Sequence, residues 1–420
     1  MRHSTLLLIA VVSRVGSGLA TTLSALYVTQ IAGLSLRSVG LTLTAATAIA
    51  VAASIWLGHL ADRLGAREMY VGMFVLQALA TAGLVFVHTV ATYAIVALCL
   101  AVSDLAQRSA QGAVIHAVVD PAERLPIRAK IRVAANIGFA VGAGLGGAVL
   151  AVGSATAYRL GLLTTAVLIA GTAGLVLRLR RVPRVRHATT GPWQVLRDRP
   201  FVRFMGLNGI LNIHNPMLTV GMPLWIVTRT DAPHWLISVL LIVNTAAVIL
   251  FQIRLTRGTD SLTGAGRAGR RAGLLLCLSC LVLALTTTTS SAVTITLLVL
   301  AAICHVTGEI LESASGWGTS YALAAPDQIG QYQGAHAMGR GLGDLIGPAL
   351  LTTLTLPSAP PAGCSWQPPS PPPASSLPSP SAQQPAYRST GKGPRNGRDL
   401  QAATLRPAGP NGLLPVHLYA

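Results

Sequence analysis

Charge is what this 420-residue chain has least of: 10% of its residues are Asp, Glu, Lys or Arg, where an ordinary soluble domain carries about 25%. Too few polar groups remain to cover a water-facing surface, which excludes a soluble globular enzyme. Acids are scarcer still, 13 against 31 bases, for a net charge of +18. In a soluble protein that excess would suggest nucleic acid. Here 52% of residues are hydrophobic and the mean hydropathy is +0.58, so most of the chain cannot face water and no nucleic-acid partner is expected. Lysine is nearly absent, with only Lys130 and Lys392; together with the abundance of Ala, Gly, Leu and Pro, this reads as coding bias rather than a binding adaptation. Five cysteines are too few and too scattered for a disulfide framework. Cys277 and Cys280 form a CxxC inside an apolar run with no second ligand pair, so they read as helix-packing residues and not as a zinc or redox site.

What the chain has in plenty is apolar sequence. Runs of about 20 residues, the length that crosses a bilayer, occur at 4–32, 38–60, 69–88, 91–112, 132–152, 159–178, 201–228, 235–255, 272–288, 291–314 and 332–356, eleven in all. Lipid offers no hydrogen bonds to a bare backbone, and these runs lack the ten-residue alternation of barrel strands, so the spans are expected to be helices. The start, Met1-Arg2-His3 followed by Leu6 to Val12, resembles a signal peptide. Apolar residues nevertheless continue to Ile31 without a clear cleavage site, and the segment reads as a retained first span.

Basic residues set the expected orientation, because they are retained in the cytoplasm. Arg2, the pair Arg63 and Arg67, the group Arg124, Arg128, Lys130 and Arg132, then Arg178 through Arg203 and Arg254 through Arg271 occupy the N-terminus and alternate loops. The intervening loops hold only Arg37, Arg159 and Arg229. The N-terminus is therefore expected in the cytoplasm and the protein in the cell membrane. Four regions result: an N-terminal six-helix bundle over 1–178, a basic cytoplasmic linker over 179–200, a C-terminal bundle over 201–356 in which five helices are visible, and a tail over 357–420. The tail holds fifteen of the 25 prolines and no apolar run of membrane length. It reads as a disordered Pro/Ser-rich segment where a twelfth helix would stand, with a frameshift near codon 357 as the expected cause.

An internal repeat carries the functional argument. Gly138, Gly142 and Gly146 in the fifth span recur as Gly339, Gly343 and Gly347 in the eleventh, displaced by 201 residues. Small residues at this spacing form a stripe where another helix can approach closely. The same displacement carries Asp104, Arg108 and Gln111 of the fourth span onto His305, Glu309 and Glu312 of the tenth. Each triplet has i, i+4, i+7 spacing and so makes one polar stripe on an apolar helix. Two related bundles in parallel repeat follow. The first span carries Arg14, Ser17, Thr21 and Ser24 on one face and the seventh carries Asn208, Asn212, Asn215 and Thr219. Polar faces on the first, fourth, seventh and tenth helices are expected to converge on an aqueous pathway, since ionised groups in lipid are costly.

The loop after the second span reads Gly58-His59-Leu60-Ala61-Asp62-Arg63-Leu64-Gly65-Ala66-Arg67. It resembles the signature loop of the major facilitator superfamily, Gly-x-x-x-Asp-Arg-x-Gly followed by two basic residues, with Ala66 in place of the first of those two. Arg108-Ser109-Ala110-Gln111-Gly112 looks like the family's second motif, whose arginine is associated with proton coupling. Gly142-Ala143-Gly144-Leu145-Gly146-Gly147 is similar to the Gly-Pro-x-x-Gly-Gly motif of the drug/proton antiporter branch, with Ala143 standing where that branch has proline. The same glycines satisfy GxGxxG, but nucleotide binding would need a strand in a soluble βαβ unit.

The resemblance covers about residues 1–356 and implies a non-enzymatic secondary transporter with two rocking bundles, alternating access, no metal and no cofactor. Its expected partners are a small organic solute, protons and the bilayer, and it is expected to work as a monomer in the efflux direction. An uptake symporter, a membrane sensor on the same scaffold and an inactive truncated transporter stay open as alternatives. Glu309, with Glu312, Asp104 and Arg108, are the candidates for proton coupling. Glu309 holds the repeat position of Arg108, so the two are expected to face one another across the cavity. Arg14, Asn208, Asn212, Asn215 and His305 are candidate cavity residues. Gly58, Asp62, Arg63, Gly65 and Arg67 are the candidate gating loop, Asp62 being suited to cap a neighbouring helix end. A metal site from His305 and Glu309 is disfavoured against an oxygen-rich proton relay.

Overall fold

Short polar side chains set the starts of the helices. The computed structural model describes residues 2–181, 191, 193–288 and 291–355. Among them eleven long helices follow the apolar runs: α1 (Arg2–Leu26, continued by a π-helical turn over Tyr27–Ile31), α2 (Leu36–Leu64), α3 (Ala66–Gly83), α4 (Val90–Val118), α5 (Arg124–Val152), α6 (Ala155–Leu177), α7 (Arg199–Arg229), α8 (Trp235–Leu255), α9 (Leu262–Leu285), α10 (Ser291–Leu323) and α11 (Ile329–Thr355). Ser35, Ser154 and Ser261 each accept the backbone N–H three residues on, Asp198 does so for Phe201, and Thr89 with Thr92 forms a reciprocal capping box. Each cap satisfies a donor that a helix start leaves unpaired. Gly65 separates α2 from α3 with φ of 101°, a backbone conformation that side chains disfavour.

Ten of these helices are long and apolar enough to cross a membrane. The exception is α11, whose 27 residues include Gln331, Gln333, His336, Arg340 and Asp344. The first three of these are buried against neighbouring helices, so the expected eleventh span is a helix of membrane length with its polar side turned inward. Leu79, Ile95, Val167, Ile242 and Leu274 are exposed, an outer surface suited to lipid. No strand occurs among the described residues.

The helices run past the apolar sequence that reveals them. The fifth begins at Arg124, so Arg128, Lys130 and Arg132, which the sequence reading assigns to a loop, are helical. Arginine and lysine are good helix formers and lay their aliphatic stems along apolar neighbours, so their charge does not mark the end of a helix.

In the first half α1 packs on α5 and α6, α2 on α4, and α3 on α4 and α6. In the second half α7 packs on α11, and α10 on both α8 and α9. The glycine ladders make the corresponding contact in each half. A Cβ at Gly138, Gly142 or Gly146 would lie 2.6 Å from the Val11 oxygen, 2.1 Å from the Val15 oxygen and 2.6 Å from Thr22 Cβ, all on α1. At Gly339, Gly343 or Gly347 it would lie 2.8 Å from the Met205 oxygen, 2.5 Å from the Gly209 oxygen and 2.2 Å from Pro216 Cγ, all on α7. The repeat is thus a repeat of packing: the fifth helix of each half closes on the first. The halves meet where α2 and α4 touch α11 and where α5 touches α8 and α10.

The seventh helix is broken at mid-length into Arg199–Leu211, a turn over His214–Pro216, a π-helical turn over Met217–Gly221 and Met222–Arg229. Pro216 and Pro223 lack the N–H a regular helix needs, and such breaks survive at membrane depth where they line a polar interior. The expected Pro/Ser-rich tail over 357–420, its frameshift and the replaced twelfth helix lie outside the described residues, as does most of the linker from 182 to 190.

Candidate functional site

Four helices of the first half leave a polar cavity of about 70 Å³ between them. The first helix brings Arg14, Ser13 and Ser17, the third Tyr70 and Phe74, and the fourth Asp104, Gln107, Arg108 and Gln111. The i, i+4, i+7 stripe of α4 is what places Asp104, Arg108 and Gln111 on one wall. Arg108 donates through Nε and Nη2 to Oδ2 of Asp104, both at 2.9 Å. Arg14 is close enough to Asp104 to interact electrostatically but makes no hydrogen bond or ion pair with it.

In the second half the polar side chains form a network. Glu312, fully buried on α10, accepts from Asn208 Nδ2 at 2.7 Å and from Arg340 Nη1 at 3.1 Å, with His214 Nε2 3.5 Å away. His336 Nε2 donates to Asn208 Oδ1 at 3.0 Å. Asn212 donates to Asp344 Oδ1 at 2.8 Å and Asn215 lies 3.5 Å from the same oxygen. His305 is buried and its Nε2 donates 3.0 Å to the carbonyl of His214, in the broken stretch of α7. The three asparagines of α7 are therefore bound to the carboxylates of α10 and α11. Among the described residues no group of three or more His, Cys, Asp or Glu side chains is placed to hold a metal ion.

Glu309 stands between the halves. Its carboxylate is bonded to Arg132 of α5 and accepts from Asn244 Nδ2 of α8 at 3.2 Å. The expected opposition of Glu309 and Arg108 is not what forms. Arg108 is held by Asp104 one turn away on its own helix, whereas α5, lengthened at its start, carries Arg132 directly to α10.

A family profile described as the Major Facilitator Superfamily matches residues 6–348. The chain belongs to this superfamily. Two solved structures share its fold. The human organic anion transporter MFSD10 (TETRAN) is 17% identical, with a TM-score of 0.60 over 83% of this chain and 92% of that one. A point variant of the nucleoside transporter NupG is 17% identical, with a TM-score of 0.55 over 84% of this chain and 92% of that one. No curated protein sequence matches the chain. The superfamily is one of transporters, and this chain is a multi-pass membrane protein of it.

The superfamily's signature loop closes one end of the molecule. Asp62 accepts two backbone N–H groups in the first turn of α11, Gly330 at 2.6 Å and Gln331 at 2.8 Å, where the helix dipole favours a negative charge. Gly58 makes this approach possible, because a Cβ there would lie 2.2 Å from the Gly330 oxygen. Arg67 donates to the Leu177 carbonyl at the end of α6, 2.5 Å away, and Arg63 is exposed. Beside this clasp Arg128 of α5 reaches the other half: its guanidinium lies 3.7 Å above the Trp317 ring and donates to Tyr321 Oη at 3.0 and 2.7 Å. Arg128 also donates to Gln111 Oε1 at 3.2 Å.

Several of these residues escape a reading of sequence. Arg128 and Arg132 look like loop bases. Arg340 and Asp344 share α11 with the glycine ladder, which draws attention away from them, yet an i, i+4 pair of opposite charges inside a span is itself a signal. His214, Asn244, Trp317, Tyr321 and His336 carry no spacing that separates them from ordinary helix residues.

Proposed function

We propose that the protein is a proton-coupled secondary transporter that exports a small organic solute across the cell membrane by alternating access, with its N-terminus and basic loops in the cytoplasm. The observation that carries this reading is the ion pair of Glu309 with Arg132, a buried carboxylate of one half held by a guanidinium of the other. A carboxylate in a water-poor interior stays ionised while a guanidinium lies against it. When the halves move apart and withdraw Arg132, binding a proton becomes the lower-energy state. Rocking of the halves would thereby take a proton up on one side and release it on the other. Proton coupling is supported by the resemblance of Arg108 through Gly112 to the motif of proton-coupled members, and the outward direction by the likeness of Gly142 through Gly147 to the motif of the drug/proton antiporter branch.

Glu309→Gln keeps the side-chain shape and an acceptor for Arg132 but removes the ionisable group. In inside-out vesicles loaded with a pH-sensitive dye, the wild-type protein should release protons when a transported solute is added. The variant should still exchange solute down its gradient while losing uptake driven by the pH gradient. Transport by Glu309→Gln against a solute gradient at the wild-type rate and with the same pH dependence would reduce the pair to a structural contact.

A further inference from the structure

We infer that the cavity of the first half receives the acidic group of a small organic anion, and that Arg14 is the residue that binds it. The inference rests on the transporter reading and adds the class of solute.

The donors lining this cavity are almost all committed to the protein. Ser13 and Ser17 donate to backbone carbonyls of their own helix at 3.2 and 3.0 Å. Gln107 donates to the Met73 carbonyl and to Gln77, and Gln111 donates to Tyr70 Oη. Arg108 spends Nε and Nη2 on Asp104. Arg14 makes no hydrogen bond or ion pair with any described residue. The cavity therefore holds two guanidinium groups and a single carboxylate, and that carboxylate is held by the arginine other than Arg14.

A cation at membrane depth is costly unless something answers it, and Asp104, which interacts with both arginines, answers two guanidinium groups with one charge. A cationic solute would meet a net positive site, and a neutral one would leave that excess in place. A carboxylate or phosphonate matches the guanidinium fork and would bring the site to neutrality. The volume of about 70 Å³ corresponds to about five water molecules, enough for an acidic group and the atoms next to it. Phe74 and Ile131 offer an apolar wall for the carbon bearing that group. Packing fixes the position of Arg14: its Cβ lies 3.2 Å from where a Cβ of Gly138 would stand, so the close contact of α1 with α5 sets the root of the side chain.

The test is binding to the full-length protein in lipid nanodiscs, followed by calorimetry and by thermal unfolding. Benzoate and phenylphosphonate are the anionic probes, benzamide the neutral match of benzoate and benzylammonium the cationic one. At least one anion should bind, with at least tenfold preference over benzamide and no competition from benzylammonium. Arg14→Gln should weaken that binding at least tenfold, and Arg14→Lys should retain part of it, each variant first shown to elute as folded protein. Equal binding of benzoate and benzamide, undiminished anion binding by folded Arg14→Gln, or no binding of either anion by the wild type would overturn the assignment. Glu309→Gln separates the two readings. Anion binding without proton-linked flux in the wild type would leave the Arg14 site standing and remove the transporter reading. Proton-linked flux of a neutral or cationic solute with no anion binding would do the reverse.

Discussion

Glu312 is sealed from solvent, and the groups around it take the place of water: an amide from α7 and a guanidinium from α11. A buried pair of this kind contributes little net stability relative to an apolar core, but removing one partner leaves the other uncompensated, at a cost of about 3–5 kcal/mol. Arg340→Ala should therefore destabilise the protein by about that amount, read as a lower unfolding midpoint of the purified protein in detergent. Adding Glu312→Gln should recover much of the loss, because the neutral amide no longer needs a cation. If the double variant is as unstable as the sum of the single ones, Arg340 and Glu312 are not coupled. Glu312 and the neighbouring Glu309 could be read from the sequence, since they interrupt an apolar run and an internal repeat singles them out, whereas Asp344 escapes it. Their partners could not. Asn208 belongs to a polar stripe that the sequence alone fits equally well to a water-lined path, and only the structure shows that it is tied to Glu312.

The helix pairs α1–α5 and α7–α11 owe their closeness to missing side chains, and the ladder spacing that makes this possible is visible in sequence. What the sequence does not tell is which glycines of a rich run matter. Gly142 and Gly144 stand two residues apart on α5. A Cβ at Gly142 would lie 2.1 Å from the Val15 oxygen, whereas at Gly144 it would meet nothing within 4 Å. Gly142→Ala should therefore force α1 away from α5, costing about 1–3 kcal/mol as overpacking does. Gly144→Ala should be neutral or slightly stabilising, because alanine favours the helix. Thermal unfolding of the two variants side by side checks this, and equal effects would mean that the pair is not held by the ladder. Ten of the helices were legible because length and apolarity decide what can span lipid, and α11 through its glycine ladder. Their ends were not, because arginine inside the first turns of α5 looks the same on paper as arginine in a loop, and with those turns the sequence reading also loses Arg128 and Arg132.

At the scale of the whole molecule, the halves are joined by polar contacts as well as by close helix packing. At the end that carries the signature loop they are dense and polar: Asp62 on the start of α11, Arg128 against Trp317 and Tyr321, and Tyr321 donating to the Gly112 carbonyl at 3.2 Å. Gly112 lets the Gln333 side chain pack closely here, since a Cβ would lie 2.6 Å from its Oε1 and the side chain would have to shift. These contacts form a clasp between the halves at this end, and the alternating cycle proposed above would have to release it. Gln111 links the clasp to the cavity, because its Oε1 accepts from Arg128 while its side chain lines the space beside Arg14. Neutralising Asp62 weakens the charge–dipole attraction to α11 and leaves one of two backbone donors without its acceptor, because an amide offers a single oxygen. Asp62→Asn combined with Tyr321→Phe should therefore shift the population toward molecules open at this end, while leaving the packing within each half intact. Spin labels at Ala122 and Ala322, exposed positions near this end on opposite halves, would report it as a longer and broader distance distribution in a background without native cysteines. An unchanged distribution in the folded double variant would mean that the glycine contacts of α2 with α11 hold the end closed by themselves, and that the polar clasp only adds to a closure set by shape.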